Sequence, residues 1–128
     1  MKSIIKKYQR ANICFLGYVE DLSVVFSSSM LIVPIRIGSG MRLKIIEAVN
    51  QGIPFITTTI GVEGLNFKNN IDCIIADSPY EFAKGIHYLS ENPSKQQDFI
   101  KNASEKLSEK YSYVEAINKR LDFYRSLT

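Results

Sequence analysis

The sequence predicts a single doubly wound α/β domain over residues 1–128, with a parallel sheet of about four strands and further helices at the C-terminus. Short, continuously apolar runs alternate with helical patterns, which is typical of strands buried on both faces. The chain has 128 residues, 45% of them hydrophobic, which fits one compact domain of about 100–150 residues.

The N-terminal part is expected to contain two short helices and two strands. Residues 1–10 could form a helix, and the apolar run 13–16 is the first predicted strand. Asp21 is placed to cap a second short helix. Residues 30–34, "MLIVP", form the second predicted strand, which Pro34 ends.

The middle of the chain predicts a helix over about residues 41–51, ended by Gly52, and a third strand, "PFITT", over 54–58. At about 100° per residue, one face of this helix is apolar and should pack on the sheet. That face consists of Met41, Ile45, Ala48 and Val49.

The C-terminal part begins with a fourth predicted strand, "DCIIA", over residues 72–76. Ser78, Pro79 and Glu81 then have the order of an N-cap, a first helical residue and a capping-box acid. Pro93 should break that helix, and two more helical patterns follow, over about 94–109 and 113–127.

Composition excludes some classes of protein. No stretch approaches the roughly 20 apolar residues of a membrane span, and the N-terminus lacks the apolar core of a signal peptide, so a cytoplasmic protein is expected. Cys14 and Cys73 lie in apolar runs and are interpreted as small buried strand residues, with no metal site.

The formal charge of +3 is too small to predict nucleic-acid binding. A cluster of cations precedes the first acid, Glu20, and is interpreted as a solvated helix face, with contact to an anionic membrane surface or to nucleic acid as the alternative. The cluster consists of Lys2, Lys6, Lys7 and Arg10.

The motif "IRIGSGMRLKIIEA" contains Gly38 and Gly40 and then two cations, Arg42 and Lys44, in the first turn of the predicted helix. A cation there is unfavourable by about 0.3–1 kcal/mol, because the helix start is itself positive. A bound anion would reverse that sign, and glycines let the backbone approach a phosphate. The motif therefore suggests a diphosphate site, with Glu47 able to accept hydrogen bonds from a ribose.

A simpler interpretation stays open on these residues alone. Lys44 and Glu47 could form a surface ion pair, the glycines could be turn residues and Arg42 could be solvated. The motif also fails two familiar phosphate-loop patterns. A dinucleotide fingerprint would need a small residue at Leu43, and no GxxxxGK[ST] sequence is present.

Five marks in order, "GYVEDL", a strand ending in Pro34, "IGSGMRLKIIEA", "GIPFITT" and "GVEGL", resemble the C-terminal, nucleotide-sugar-binding domain of GT-B glycosyltransferases of the "group 1" family. The resemblance is strong over about residues 12–77. It implies a Rossmann-like fold, no cofactor, and a nucleotide-diphospho-sugar donor. The implied reaction is transfer to a glycan or lipid-linked acceptor, with retention.

Carried over by position, the resemblance implies that Glu47 holds the ribose, and it leaves the catalytic residue unknown. Ser39 stands where many members have the first glutamate of an E-x7-E pair, so the contact with the donor sugar should differ. Thr58 and Glu63 are weaker candidates. The implied diphosphate-binding residues are Gly38, Ser39, Gly40, Met41, Arg42 and Lys44.

The resemblance also implies partners that this chain lacks: an N-terminal acceptor domain and the first strands of the donor domain. The chain would then be the donor-binding half of an enzyme, inactive or weakly active alone, and located in the cytoplasm or peripherally at the inner membrane face. The alternative is a non-catalytic nucleotide-binding or interaction module of the same fold.

Overall fold

The computed structural model describes residues 2–21, 23–110 and 126, which form eight elements. The predicted helix over 113–127 lies outside the described residues, apart from residue 126. In chain order the elements are α1 (Lys2–Tyr8), α2 (Ser23–Phe26), β1 (Leu31–Val33), α3 (Leu43–Asn50), β2 (Phe55–Thr57), β3 (Ile74–Ile75), α4 (Pro79–Glu91) and α5 (Pro93–Lys110).

The three strands form one parallel sheet in the order β1-β2-β3. Ile32 pairs with Ile56, and Ile56 pairs with Ile74. The last three predicted strands are therefore confirmed, and so is the α/β fold class, with a sheet smaller than expected.

Successive residues of β2 point to opposite faces of the sheet, and each face is covered by a helix. Phe55 packs with α3 on one face, whereas Ile56 packs with α4 on the other. Helix α5 contributes to both cores, because Phe99 joins the α4 side and Leu107 joins the α3 side. The sheet is thus covered on both faces, as a doubly wound fold requires.

The first predicted strand, over residues 13–16, is wrong. Ile13 N–H donates to the carbonyl oxygen of Arg10 at 3.1 Å in a tight turn, and Phe15 and Leu16 are exposed. An apolar run becomes a strand only where a neighbour can accept its hydrogen bonds. Among the described residues, this run makes only an isolated bridge between Arg10 and Ile13. Cys14 is consequently exposed, contrary to the prediction, whereas Cys73 is buried as predicted.

Helix α3 begins at Leu43, two residues later than expected. Met41 therefore precedes the helix and is 46% exposed, so its assignment to the buried face is wrong. The other three members of that face are buried, and Gly52 follows the C-cap residue, as predicted. The delay has a local cause, because Arg42 is held in an extended conformation (φ −89°, ψ 90°).

The predicted helix caps are confirmed. In α4, Glu81 N–H donates to the Ser78 hydroxyl at 3.3 Å, and Ser78 N–H donates to the Glu81 carboxylate at 2.9 Å. The Asp21 carboxylate accepts a hydrogen bond from Ser23 N–H at 2.9 Å at the start of α2. Within the described part of the chain, no helix combines the length and the apolar character needed to span a membrane.

The two edges of the sheet differ. At the outer edge of β3, Ile75 N–H donates to the Asn69 side chain and Asn70 N–H donates to the Cys73 carbonyl, both at 2.8 Å. On β1, Leu31 N–H donates to Pro54 in the direction of β2, so the peptide groups of Ile32 face away from the sheet. No described strand pairs with that side, and Ile32 is 43% exposed.

Candidate functional site

Three loops leave the carboxyl ends of the strands and meet at one edge of the sheet. They are residues 34–42 after β1, residues 58–73 after β2 and residues 76–78 after β3. Ligands of open parallel sheets bind at this edge. The first loop contains the glycine motif, which places it where the sequence predicts a binding site.

Three consecutive threonines, the threonine run (residues 57–59), join these loops. The Thr57 hydroxyl donates to the Val33 carbonyl at 3.1 Å, and the Thr58 hydroxyl donates to the Ile35 carbonyl. Thr59 donates to the Asp77 carboxylate from both its N–H, at 2.9 Å, and its hydroxyl, at 2.7 Å. The second loop is therefore bonded to the first and to the third.

The two weaker candidates, Thr58 and Glu63, lie differently in the second loop. Thr58 is 5% exposed, and its hydroxyl also accepts a hydrogen bond from Gly61 N–H at 3.0 Å. Both the donor and an acceptor position of that hydroxyl are thus engaged within the protein. Glu63 is exposed on the same loop.

The glycine loop (residues 38–40) contains two glycines in backbone conformations that other residues rarely adopt. Gly38 has φ 132° and Gly40 has φ 91°, with Ser39 between them. All three residues are exposed. The backbone of this loop is therefore accessible to a ligand, without a Cβ at either glycine.

Arg42 folds back over the glycine loop. Its Nη1 donates to the Ser39 carbonyl at 3.1 Å, and its Nη2 lies 3.2 Å from the position that a Cβ of Gly38 would occupy. The Nε and Nη2 atoms are buried and have no hydrogen-bond partner. The guanidinium therefore lies over the glycine loop with two nitrogens that lack hydrogen-bond acceptors.

The partial positive charge at the start of α3 is not balanced by any neighbouring acid. The helix has no side-chain cap and no acid in its first turn, where Lys44 lies exposed. Lys44 and Glu47 are both described, and no ion pair joins them, so this part of the simpler interpretation is not realised. Glu47 is exposed on the polar side of the helix.

The sequence model of the family described as glycosyl transferases group 1 matches residues 1–92. This chain belongs to the group 1 glycosyltransferase family. The resemblance predicted from the motifs is thereby confirmed, and the matched region includes the glycine loop, the threonine run and helix α3.

One similar protein of this kind is described as an "Uncharacterized 44.6 kDa protein in cps region" from Klebsiella pneumoniae. It is 28% identical over 93 residues, which cover 72% of this chain and 24% of the relative. This group 1 chain therefore spans about a quarter of the length of that relative.

The group 1 chain also brings to this edge two charged residues that the sequence analysis did not select. Arg36 and Asp77 line an open, mainly apolar cavity of about 350 Å³ beside β1, together with Ile32 and Phe82. Asp77 is the first polar side chain after β3, and this position could have identified it. The two hydrogen bonds from Thr59, that of the hydroxyl above all, lower the pKa of Asp77.

Chemically, this edge of the group 1 chain offers an exposed glycine backbone, three cations (Arg36, Arg42 and Lys44) and an uncapped helix start. These groups suit an anion with several oxygens. Among the described residues, no three His, Cys, Asp or Glu side chains are grouped so that they could hold a metal ion.

Proposed function

We propose that this chain provides the donor-diphosphate site of a glycosyltransferase. The enzyme would transfer a glycosyl unit from a nucleotide-diphospho-sugar to a glycan or lipid-linked acceptor, with retention. Membership of the group 1 family supports glycosyl transfer. The cps-region name of the relative supports a role in polysaccharide biosynthesis. The nucleotide donor and the retention rest on the motif resemblance.

The observation that best supports the proposal is that two buried nitrogens of Arg42 lack hydrogen-bond partners. A buried donor without a partner costs about 1–3 kcal/mol, and more when it is charged. Two nitrogens of this guanidinium are in that state, directly above the glycine loop. Turned outward from this buried position, the guanidinium would find the missing acceptors in phosphate oxygens bound in the loop, and charge-assisted bonds of this kind are among the strongest in proteins.

The neighbouring groups support the same ligand. The start of α3 carries a partial positive charge that no acid compensates, and Lys44 adds to it. As the bond between sugar and diphosphate breaks, negative charge grows on the departing diphosphate, and these groups would stabilise it. Glu47, three residues after Lys44, would accept hydrogen bonds from the ribose.

The diphosphate assignment is tested with Arg42→Ala. Binding of UDP, GDP and a nucleoside monophosphate is measured by calorimetry and by amide shifts in NMR spectra. We expect at least about tenfold weaker diphosphate binding, because hydrogen bonds to charged groups contribute about 1.5–3 kcal/mol. Lys95→Ala, an exposed cation on α5, should leave the affinity unchanged. Unchanged affinity in Arg42→Ala would refute the assignment.

The ribose assignment is tested separately with Glu47→Ala. Affinity for UDP should fall several-fold, since a charged acceptor for the ribose hydroxyls is lost. Affinity for inorganic pyrophosphate, which has no ribose, should stay the same. Glu105→Ala on α5 is the matched control. If both ligands weaken equally, Glu47 acts through the helix and not on the sugar.

A further inference from the structure

Helix α5 contacts the second loop (residues 58–73) through one row of side chains. Asn102, Lys106 and Lys110 are spaced by four residues and therefore lie on one face of the helix. Each donates a hydrogen bond to a backbone carbonyl oxygen of the loop: Asn102 to Ile71 at 2.8 Å, Lys106 to Asn66 at 3.2 Å and Lys110 to Gly64 at 2.6 Å. The second half of the loop therefore runs along α5 and is bonded to it at three points.

Lys106 differs from the other two because it also contacts a buried acid. Its Nζ donates to the Asp72 carboxylate. The same carboxylate accepts a hydrogen bond from Lys68 N–H at 2.7 Å, and Asp72 N–H donates to the Lys68 carbonyl oxygen at 3.0 Å. The ion pair thus joins α5 to a closed turn over residues 68–72.

Stability alone is a weak explanation for this pair. The side chain of Asp72 is 1% exposed and that of Lys106 is 27% exposed, so both are largely removed from water. That removal is costly, and apolar side chains of similar volume often replace a buried pair without loss of stability. Charge-assisted hydrogen bonds are directional, however, and therefore fix one position of the loop relative to the helix.

The position of the second loop reaches the glycine loop through a short series of hydrogen bonds. Leu65 N–H donates to the Val62 carbonyl oxygen at 2.9 Å, and Val62 N–H donates to the Thr58 carbonyl oxygen at 3.3 Å. The Thr58 hydroxyl accepts from Gly61 N–H at 3.0 Å and donates to the carbonyl oxygen of Ile35, three residues before the glycine loop. Contiguous networks of this kind can carry energetic coupling between distant residues.

We propose that Lys106 is a positioning residue of the donor-diphosphate site. Through Asp72 and the Asn66 carbonyl it fixes the second loop, and through Thr58 the second loop fixes the backbone that leads into the glycine loop. The proposal rests on the function proposed above for the identity of the ligand. Its structural part, the dependence of the glycine loop on α5, is measurable without ligand.

The test removes both charges of the pair, since Lys106→Met alone would leave a buried, unpaired carboxylate. Lys106→Met with Asp72→Asn should stay folded, as thermal unfolding will show. In NMR spectra without ligand, the amide signals of Gly38, Gly40 and Gly61 should shift. The Gly61 amide should also exchange faster with solvent, because the Thr58 hydroxyl that accepts its hydrogen bond is held less firmly. UDP should bind about 2- to 30-fold more weakly, the range expected of residues that act on a site through a network.

Three further variants make the result specific. Lys106→Arg keeps the charge and should retain the signals and the UDP affinity of the unsubstituted chain. Asn102→Ala removes the bond to Ile71 at an exposed helical position, where alanine is well tolerated, and should give smaller shifts of the same signals. Lys101→Met with Glu105→Gln removes an exposed ion pair from α5 and should change neither the glycine signals nor the UDP affinity.

Several results would overturn the proposal. The three glycine signals could stay unchanged in the folded double variant, or the variant of the exposed pair could move them equally. Shifted signals with unchanged UDP affinity would show that the coupling does not reach the ligand. If the double variant does not fold, unchanged glycine signals in Asn102→Ala would be decisive against it. A chain that binds no UDP, yet shows the expected shifts, would refute the donor site and leave the positioning of the glycine loop by Lys106 in place.

Discussion

Gly61 packs against the threonines that connect the loops at the carboxyl edge of the sheet. A Cβ at this position would collide with the Thr57 hydroxyl oxygen and lie 3.2 Å from the Thr58 carbonyl oxygen. The hydroxyl of Thr57 bonds β2 to the end of β1, and that of Thr58 bonds the second loop to the first. Only hydrogen fits at this position without displacing the threonine run.

Gly61→Ala should therefore destabilise the protein by about 1–3 kcal/mol, the usual cost of forcing extra atoms into a packed site. Thermal unfolding followed by circular dichroism measures the effect, at about 4–8 °C per kcal/mol for a small domain. The same substitution should cost less in a Thr57→Ala background, where the hydroxyl is gone. Equal costs in both backgrounds would show that the collision is not the cause.

At the residue scale, the sequence predicted which side chains lie in the glycine motif but not how they are bonded. Lys44 lies in the first turn of α3, as local spacing predicted, whereas Arg42, which was expected in the same turn, is the extended N-cap residue before the helix. The return of the Arg42 guanidinium to Ser39 depends on the loop conformation, and the bond from Thr59 to Asp77 joins residues 18 positions apart. Neither is encoded by local spacing.

The helices and strands differ in how far they could be predicted. The start of α4 was correct because Ser78, Pro79 and Glu81 interact with one another across a single turn. The strand over residues 13–16 was wrong because strand formation depends on a neighbour that the described chain does not supply. A sequence pattern that predicts a helix depends on residues close along the chain. A pattern that predicts a strand also requires a neighbouring strand to pair with.

The cap of α4 gives a prediction at this scale. Ser78→Ala removes the acceptor for Glu81 N–H and should cost about 1 kcal/mol of stability. Urea unfolding should show a lower midpoint with an unchanged slope. Ser104→Ala, within α5 and exposed, is the control and should be neutral or slightly stabilising. A neutral result for Ser78→Ala would mean that water replaces the hydroxyl at no cost.

For the whole molecule, we expect binding without turnover. The resemblance places the groups beside the reacting carbon in an acceptor domain, and this chain spans about a quarter of the relative. The isolated chain should bind UDP or GDP yet release no nucleotide from UDP- or GDP-linked sugars above the buffer rate. Coupled nucleotide assays with a full-length group 1 enzyme as positive control measure this. Release that Arg42→Ala abolishes would show that this chain alone is catalytic.

The family and the α/β class of the whole molecule could be predicted, because the motifs that indicate them occur in order along the chain.

The packing of α5 against the rest of the domain could not be predicted from the sequence. Buried Asp72 pairs with Lys106, 34 residues later, and no local pattern connects the two positions. Such contacts depend on where the chain returns after its last strand.

The difference between the two sheet edges limits how copies of this chain can join. The outer edge of β3 is closed by Asn69 and Asn70, and among the strands of residues 2–21 and 23–110 only β1 presents free peptide groups. A fibre of stacked strands needs two open edges on every subunit, so that each added copy leaves a new edge for the next. Association through the β1 edge would use the single open edge that the described part of each copy presents. It would stop at a pair and could not propagate.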